Sequence, residues 1–599
     1  MITFAILILI VAKALPGLNT HISSIHVTRI TSVIFLFASI LSLNSLNLES
    51  IGSGIGIYSG FFQITTISQL IEIFLFIIGG GILVAWPQIK SIAPATANVY
   101  LQKEEHYVEE SSLSTEKYST DYSLVVLFSS LGSSLLISSY DLISVYLSIE
   151  LQSFGLYILS TLYRDSESST KAGLKYFLLG GLSSCIILLG TGIIYSYTGT
   201  TNLESLYIIN SVIIDINQQY IIQGISLGLS LIFIGFLFKI AAAPLHNWSP
   251  DVYDGTPTIV TTWLTIIPKI AILFILLELQ IKLGYSPSSA SQDPSFVFGL
   301  LGSSTQLTVE GENLSSAATQ TVMPGYLLGG IEIKTLLLIS ATLSLIIGSL
   351  LGLAQIKIKR LLAYSTISHL GFILLALAVN TEQSIDSFIF YIIQYTITNL
   401  NIFLIILGLT YCLSTNYFPS LATNTLYHLP KVQTANAYLQ KEEHYVEEGN
   451  KDINFISEFK GLFFSNPLLS ISLAVSLFSM AGIPPLIGFF SKQLVLYSAL
   501  QNGYYFISVL AIIVSVISCS YYLQIIKILL THSPHNTTQL FAKRGIENHH
   551  IWIKKNGIIL TNTHSYLIST LTFTILLFFI KPSLILNSTQ LLSLSLFYI

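Results

Sequence analysis

The chain has 599 residues, of which 52% are hydrophobic and only 9% are charged, and its formal net charge is −4. Soluble domains carry about 25% charged residues, so this composition excludes a domain with a solvated surface. Apolar runs of about 20 residues recur from end to end, each long enough to cross a bilayer, whereas a transmembrane β-barrel would show ~10-residue alternating segments. The sequence therefore predicts an all-α polytopic membrane protein.

About fourteen membrane spans are predicted. The first begins at residue 2, because MITFAILILIVAKALPGL lacks the Arg- and Ser-rich pattern of a transit peptide. The spans cover residues 2–17, 30–47, 67–88, 122–139, 141–163, 172–197, 223–246, 258–281, 333–355, 361–380, 385–412, 466–500, 504–529 and 557–580. The twelfth is longer than one crossing needs and contains AGIPPLIGF, so it is predicted to be broken.

Lysine and arginine concentrate in the loops after odd-numbered spans, whereas the stretch 284–327 has none. Because positive loops stay on the cytoplasm-like side of a membrane, the odd loops are predicted to face that side, which corresponds to the matrix in a mitochondrion. The 11-residue segment YLQKEEHYVEE occurs at 100–110 and again at 438–448, in two of these loops. It is either a docking segment or a duplicated insertion tolerated in surface loops, and the second interpretation is favoured.

Few charges remain at mid-span once the loop and helix-end charges are set aside. They are Glu150, Lys239, Lys269 and Lys492, and no other buried acid is expected to neutralise the lysines. Each charge costs about 2.5–3.5 kcal/mol at a helix centre, so each needs a partner, water or a task. A structural ion pair between helices is the alternative. Lys13, Lys175 and Lys527 lie near helix ends and are expected to snorkel to the interface.

Prolines accompany all three buried lysines. Pro244 follows Lys239 by five residues, Pro268 directly precedes Lys269, and Pro484 and Pro485 precede Lys492. Proline interrupts a helix, and interrupted backbone at membrane depth lies in protein or lines a hydrated cavity. Burial disfavours a charged amine and a nearby carboxylate favours it. A moving charge can therefore switch these lysines, with Glu150 as modulator, although helical spacing leaves open which lysine it faces.

His369 lies mid-span in LLAYSTISHLGFILLAL and is either a relay or a histidine bonded to a neighbouring helix. His246 follows Pro244, where capping free carbonyls is a competing task. The cysteines Cys185, Cys412 and Cys519 lie far apart without CxxC or Cys/His spacing, which argues against iron–sulfur or zinc ligation and against a disulfide scaffold.

Four segments carry a family resemblance. They are LSIELQSFGLYIL, YSTISHLGF, AGIPPLIGFFSK and the long FKIAAAPLHNWSPDVYDGTPTIVTTWLTIIPKIA, which begins at Phe238. The chain resembles the antiporter-like membrane-arm subunits of respiratory complex I, NADH:ubiquinone oxidoreductase. The resemblance implies fourteen helices, with helices 4–8 and 9–13 forming two inverted five-helix repeats, each with a broken helix.

The resemblance also implies a division of the chain and a role for each site residue. The divisions are 1–90 (three helices), 91–121 (matrix-side loop), 122–283 (first repeat), 284–327 (polar loop), 328–530 (second repeat, with a matrix-side loop at 414–457) and 531–599 (basic loop, last helix and C-terminus). Glu150 and Lys239 match the helix-5 and helix-7 pair, Lys269 the central helix-8 lysine and Lys492 the helix-12 lysine. His369 matches a histidine between the last two, which completes a proton-translocating line.

By the same resemblance, the chain is a multi-pass protein of the mitochondrial inner membrane that performs no redox chemistry. NADH, FMN, the iron–sulfur clusters and ubiquinone are expected on other subunits, and no cofactor or metal on this chain. The implied partners are membrane-arm and accessory subunits, especially the antiporter-like chain 4 and the small membrane subunits, together with lipids. No nucleic acid is expected.

Three alternatives stay open at this point. The first is a sister antiporter-like chain: chain 4, chain 5 or a subunit of a multisubunit cation/proton antiporter. Chain 4 is disfavoured because it has a glutamate where Lys492 stands, and chain 5 because it has a long lateral C-terminal helix. A secondary solute carrier would need substrate-selective polar groups at its helix breaks. A purely structural subunit would use its buried charges only to join helices.

Overall fold

The computed structural model describes residues 1–15, 24–47, 54–84, 105–164, 166–212, 219–283, 325–415, 452–531 and 562–597. The second YLQKEEHYVEE copy, the start of the first copy and most of the stretch 284–327 lie outside these residues. Apart from one two-stranded hairpin, the regular structure of the described residues is helical, which confirms the predicted all-α membrane class.

The described residues of the N-terminal part form three helices, together with a hairpin that the sequence did not indicate. These elements are α1 (Ile2–Ala14), α2 (Ser24–Ser45), β1 (Ile55–Ile57), β2 (Phe62–Ile64) and α3 (Thr66–Val84). The two strands are antiparallel, with Ile55 opposite Ile64.

Seven helices follow up to the long undescribed stretch. They are α4 (Glu105–Ser138), α5 (Leu142–Thr161), α6 (Glu167–Thr198), α7 (Leu203–Val212), α8 (Gln219–Ile240), α9 (Trp248–Gly255) and α10 (Thr258–Leu283). The segment 91–121 was predicted as a loop, but it is helical from Glu105, since 105–121 contains neither Gly nor Pro. The predicted span 223–246 is also wrong at its end, because α8 stops at Ile240 and the chain runs irregularly over 241–247.

The remaining helices form the second half and the C-terminus. They are α11 (Gly325–Leu353), α12 (Ile358–Val379), α13 (Glu382–Thr415), α14 (Leu462–Ser465), α15 (Pro467–Ala481), α16 (Ile487–Gln501), α17 (Tyr505–Leu530), α18 (Asn562–Leu577) and α19 (Ser583–Phe597), with 3-10 turns at Ile456–Phe459 and Phe578–Ile580. The predicted twelfth span is broken as expected. Asn466 caps the N-terminus of α15, Pro467 occupies its first turn, and α15 and α16 are separated by 482–486.

Twelve helices within the described ranges are long and apolar enough to cross a membrane. Two further predicted spans correspond to shorter apolar helices, α1 and the first part of the broken span, α15. The count of fourteen crossings stays a prediction.

The same helix pairings occur in the two halves. α4 packs on α5 as α11 packs on α12, α4 packs on α10 as α11 packs on α17, and α6 packs on α8 as α13 packs on α15 and α16. The halves meet where α8 packs on α11, α9 on α12 and α10 on α13. This pairing is compatible with two five-helix repeats, and their inverted relation stays a prediction.

Glycines allow the first helix pair of each half to cross closely. A Cβ on Gly155 of α5 would lie 2.9 Å from the Cβ of Ser129 in α4, and one on Gly371 of α12 would lie 2.6 Å from the Ser344 hydroxyl in α11. In each pair the other helix also contributes a glycine, Gly132 or Gly348. Small residues at such crossings let membrane helices approach.

α10 is the most enclosed helix of those long enough to span. The most apolar 18-residue segment of α10 is 100% buried inside the protein, and that of α12 is 94% buried. In α17 the corresponding segment is only 33% buried. The two enclosed helices carry Lys269 and His369. These side chains are therefore screened from lipid by protein.

Candidate functional site

Glu150 and Lys239 form an ion pair between α5 and α8. The Lys239 amine lies 3.3 Å from the Glu150 carboxylate and donates a second hydrogen bond, 2.9 Å long, to the Ser184 hydroxyl of α6. The side chains are 7% and 16% exposed. The structure thus decides the question that helical spacing left open: Glu150 faces Lys239.

The first helix break explains why the Lys239 amine is available to a carboxylate. After α8 ends, the N–H of Ala242 donates to the carbonyl of Leu237 over 2.9 Å. The indole N–H of Trp248 donates to the carbonyl of Phe238, also over 2.9 Å. Backbone and indole donors therefore satisfy these two carbonyls at the helix end, and the lysine is not required there.

Lys269 lies in the middle of α10 and is 3% exposed. Its amine donates to the hydroxyls of Thr366, at 3.2 Å, and Tyr395, at 3.3 Å. It also lies 5.7 Å from the ring centre of Tyr253 and 5.8 Å from that of Tyr395, within the range of cation–π attraction. Among the described carboxylates, none forms an ion pair with Lys269.

Thr366 occupies, in the second half, the position that Glu150 occupies in the first. Each lies five residues before the glycine at which its helix crosses the preceding one, Gly155 for Glu150 and Gly371 for Thr366. The Glu150 carboxylate binds Lys239, a lysine of its own half. The Thr366 hydroxyl instead binds Lys269, which belongs to α10, the last helix of the first half. The second half therefore offers a neutral partner where the first offers a charged one.

His369 lies between two tyrosines. Its Nδ1 is 2.8 Å from the hydroxyl of Tyr391 in α13, and its Nε2 is 3.3 Å from that of Tyr522 in α17. A neutral imidazole donates from one nitrogen and accepts at the other, so the ring joins two helices in one hydrogen-bonded series. Its link to Lys269 is indirect: the ring lies 6.2 Å from that of Tyr395, whose hydroxyl accepts from the lysine.

Lys492 is 8% exposed and turns back toward the second helix break. Its amine donates to the carbonyls of Met480 and Ala481, both at 3.0 Å, at the C-terminal end of α15. The N–H groups of Gly482 and Ile483 satisfy the carbonyl of Phe478, one turn earlier. A positive charge is favoured at a helix C-terminus, where the backbone dipoles are negative.

The sequence analysis did not single out the partners of these residues. Ser184, Tyr391, Tyr395 and Tyr522 are of residue types that commonly pack between membrane helices, so their identity alone does not indicate a role. A signal existed in α13, where Tyr391, Gln394, Tyr395 and Thr398 follow one another at helical spacing. That polar stripe on an otherwise apolar helix faces His369 and Lys269.

The expectation that Glu150 is the only buried acid is wrong. Glu278 in α10 is 6% exposed, and its carboxylate lies 3.2 Å from the amine of Lys282, one helical turn away. The Lys282 amine also lies 4.0 Å from the ring centre of Tyr140. The pair lies near the C-terminus of α10. The predicted span ended at residue 281, so these charges were set aside as helix-end charges.

Ion pairs tie α9 to both halves. Asp251 binds Lys175 of α6 and, at 2.9 Å, Arg360 of α12, and Asp254 binds Arg360 at 3.1 Å and Lys357 at 2.8 Å. Lys175 is 40% exposed, so its pairing with an aspartate 76 residues away in sequence adds a partner that the sequence did not indicate, and its snorkelling stays a prediction. Lys359, which is 3% exposed, binds Asp452 at 2.6 Å.

The arrangement offers groups that exchange protons. Within the described residues, no group of three or more His, Cys, Asp and Glu side chains could hold a metal ion. The amines, the carboxylate, the imidazole and the phenolic hydroxyls are weak acids and bases at hydrogen-bonding distances. Such a set can pass protons between neighbours when their local charge changes.

Comparison with known proteins is consistent with this chemistry. The family described as NADH:quinone oxidoreductase/Mrp antiporter, transmembrane, matches residues 139–308, 312–431 and 434–518. NADH-ubiquinone oxidoreductase chain 2 from Rhizopus oryzae is 42% identical over the full length of both chains. The chain 2 of Marchantia polymorpha is 34% identical, over 69% of this chain and 67% of its own.

A solved structure has the same fold. In respiratory complex I from Thermus thermophilus with bound aureothin, one chain superposes with a TM-score of 0.63, covering 98% of this chain and 99% of its own at 21% identity.

Proposed function

The chain belongs to the family of NADH:quinone oxidoreductase and Mrp antiporter membrane subunits, and from this premise we propose that it translocates protons within a respiratory NADH:ubiquinone oxidoreductase. The observation that carries the proposal is the buried Glu150–Lys239 pair beside two further buried lysines that have no described acid partner. Electron transfer from NADH to ubiquinone takes place on other subunits and supplies the energy.

The proposed route follows the hydrogen-bonded groups. A change elsewhere in the complex alters the separation of Glu150 and Lys239, which changes the proton affinity of the Lys239 amine. Lys269 responds next and communicates through Tyr395 and the Tyr391–His369–Tyr522 series. Lys492 then releases a proton to the opposite side of the membrane.

The magnitude is sufficient for gating. At an effective dielectric constant of ~20, unit charges at the observed 3.3 Å attract by about 5 kcal/mol, and at ~7 Å by about 2.4 kcal/mol. The difference of about 2.7 kcal/mol is close to two powers of ten in a protonation equilibrium. Movement of one carboxylate by a few ångströms is therefore enough to switch the lysine.

The remaining features belong to the same proposal. The protein is placed in the mitochondrial inner membrane with its odd-numbered loops in the matrix, beside chain 4 and small membrane subunits. No cofactor is assigned to this chain. The YLQKEEHYVEE segments are regarded as insertions with no part in proton transfer.

The test uses the assembled complex reconstituted in proteoliposomes. Glu150→Gln and Lys269→Met are expected to lower the number of protons moved per NADH oxidised, because each removes a titrating group and keeps a similar side-chain volume. Lys527→Met is the matched control, since Lys527 is an exposed lysine near the end of α17. Complex content is measured on native gels.

Two outcomes would contradict the proposal. Full pumping by both Glu150→Gln and Lys269→Met would exclude these groups from the route. Failure of assembly in Lys269→Met, with normal pumping by the small amount assembled, would identify the buried charges as structural links between helices.

A further inference from the structure

A cavity lies between Lys239 and α10. It is lined from four elements, α5, α6, the α8–α9 region and α10, and it can hold at least one water molecule. Its lining includes Gln152, Ser153, Lys239, Trp248 and Pro268. Pro268 directly precedes Lys269, so the cavity extends from one buried lysine to the helix of the next.

Gln152 is the unusual member of this lining. It is 2% exposed, and neither its amide nitrogen nor its carbonyl oxygen has a hydrogen-bond partner among the described residues. Buried polar atoms are nearly always paired, with protein or with ordered water. Gln152 lines a cavity with room for water and has no hydrogen-bond partner within the described part of the chain, so its amide is available to bind water there.

The surrounding backbone holds Gln152 in this place. A Cβ on Gly132 of α4 would lie 2.5 Å from the backbone nitrogen of Gln152, so the two helices touch at this residue. Across the cavity, Pro268 has no N–H to donate to the carbonyl of Leu264, one turn earlier in α10. That carbonyl therefore lacks its usual helical donor.

We propose that Gln152 is a positioning residue that orders water between Lys239 and the helix of Lys269 and so sets the rate of proton passage between them. The inference rests on the proposed function. An N–H bond of protonated Lys239 breaks as an O–H bond forms on the water, and a second O–H bond of that water breaks as an N–H bond forms on the neutral Lys269 amine. No electron is transferred, and one positive charge leaves Lys239.

Gln152→Met tests the proposal in the reconstituted complex, because methionine keeps the length of glutamine and cannot order water. We expect the rate of coupled proton transfer to fall about tenfold, the factor for one hydrogen bond of ordinary net strength. The slowing in D2O relative to H2O should increase, since proton passage becomes limiting. Gln152→Asn, which keeps the amide, should recover part of the rate.

Gln280→Leu is the matched control. Gln280 is a buried glutamine whose amide donates to the carbonyl of Leu377 over 2.7 Å, and it does not line the cavity. The substitution Gln280→Leu should leave the slowing in D2O relative to H2O unchanged.

The inference fails if Gln152→Met pumps at the normal rate while Lys269→Met does not, a result that leaves the proposed function intact. It also fails if Gln152→Met and Gln152→Asn slow pumping equally with an unchanged isotope effect, because the residue would then serve packing alone. Normal pumping by both Lys269→Met and Glu150→Gln would instead overturn the proposed function.

Discussion

The two broken helices place a lysine beside a break, yet they use it differently. At the first break, over 241–247, the indole of Trp248 binds the carbonyl of Phe238, and the Lys239 amine pairs with Glu150. At the second, over 482–486, the Lys492 amine itself binds the carbonyls of Met480 and Ala481. The first lysine has a charged partner, whereas the partners of the second are neutral groups within the described part of the chain.

Within the proposed function, this difference suits the two lysines to different tasks. A carboxylate can move or change its charge, so the lysine that it contacts is suited to receive a signal. Backbone carbonyls at a helix end favour the positive charge but keep their own charge unchanged. Lys492 is therefore suited to holding and releasing a proton after its neighbours change.

The largest expected effect comes from removing the charged partner at the first break. Glu150→Ala leaves the Lys239 ammonium buried without a counter-charge, which costs about 3–5 kcal/mol of stability. Its thermal inactivation, followed on the purified complex, should shift to lower temperature. The double variant Glu150→Ala/Lys239→Met should recover most of the loss. Equal losses in the single and double variants would contradict the importance of the pair.

The next effect concerns the second break. Gly482 has φ +85°, and a Cβ there would lie 3.0 Å from the Cδ of Lys492. Gly482→Ala combines the left-handed backbone cost with crowding of the lysine, so a loss of about 3 kcal/mol is expected. Gly503→Ala is the control, because Gly503 has φ +80° with no atom within 4 Å of its Cβ position. Both variants are compared by thermal inactivation, and equal shifts would rule out the contact with Lys492.

A third prediction concerns a variant in which the lysine at the first break would bind a backbone carbonyl, as Lys492 does at the second. Trp248→Phe removes the indole donor and leaves the Phe238 carbonyl with the N–H of Ala241, at 3.1 Å, as its remaining donor, at a cost of about 1 kcal/mol. The Lys239 amine is then expected to compete for the position that the indole leaves at this carbonyl, and its pairing with Glu150 should weaken. Proton pumping per NADH should fall together with thermal stability. Unchanged pumping would show that the hydrogen bond from Trp248 to Phe238 does not affect the Glu150–Lys239 pair.

The smallest effect is expected where α9 is tied to α12. Arg360→Lys loses the planar fork that reaches both Asp251 and Asp254, but these side chains are 39%, 41% and 13% exposed. Partly exposed ion pairs contribute about 0–1 kcal/mol and are screened by salt. A small decrease in thermal stability at low ionic strength is expected, which should disappear in high salt. A decrease that persists in high salt would mean that the contact is more than electrostatic.

Much of the fold was predictable because it depends on local properties of the chain. Apolar runs of membrane length located the spans, and Pro484 and Pro485 located the second break, since proline interrupts a helix wherever it stands. The boundaries at Glu105 and Ile240 were missed. At Glu105, polar residues without Gly or Pro extend the helix on its N-terminal side, beyond the apolar run that hydropathy detects. At Ile240, the helix ends before Pro244, the proline from which the break was predicted.

The sequence by itself determined that four charges and a histidine, Glu150, Lys239, Lys269, Lys492 and His369, lie among apolar residues, because solvation energy is a property of each side chain. Only the tertiary structure decided their partners. Lys239 meets Glu150 across 89 residues of sequence, Lys269 meets Tyr395 across 126, and His369 meets Tyr522 across 153. Contacts of this range depend on how helices cross, and helical spacing within one segment carries no information about the neighbour it will face.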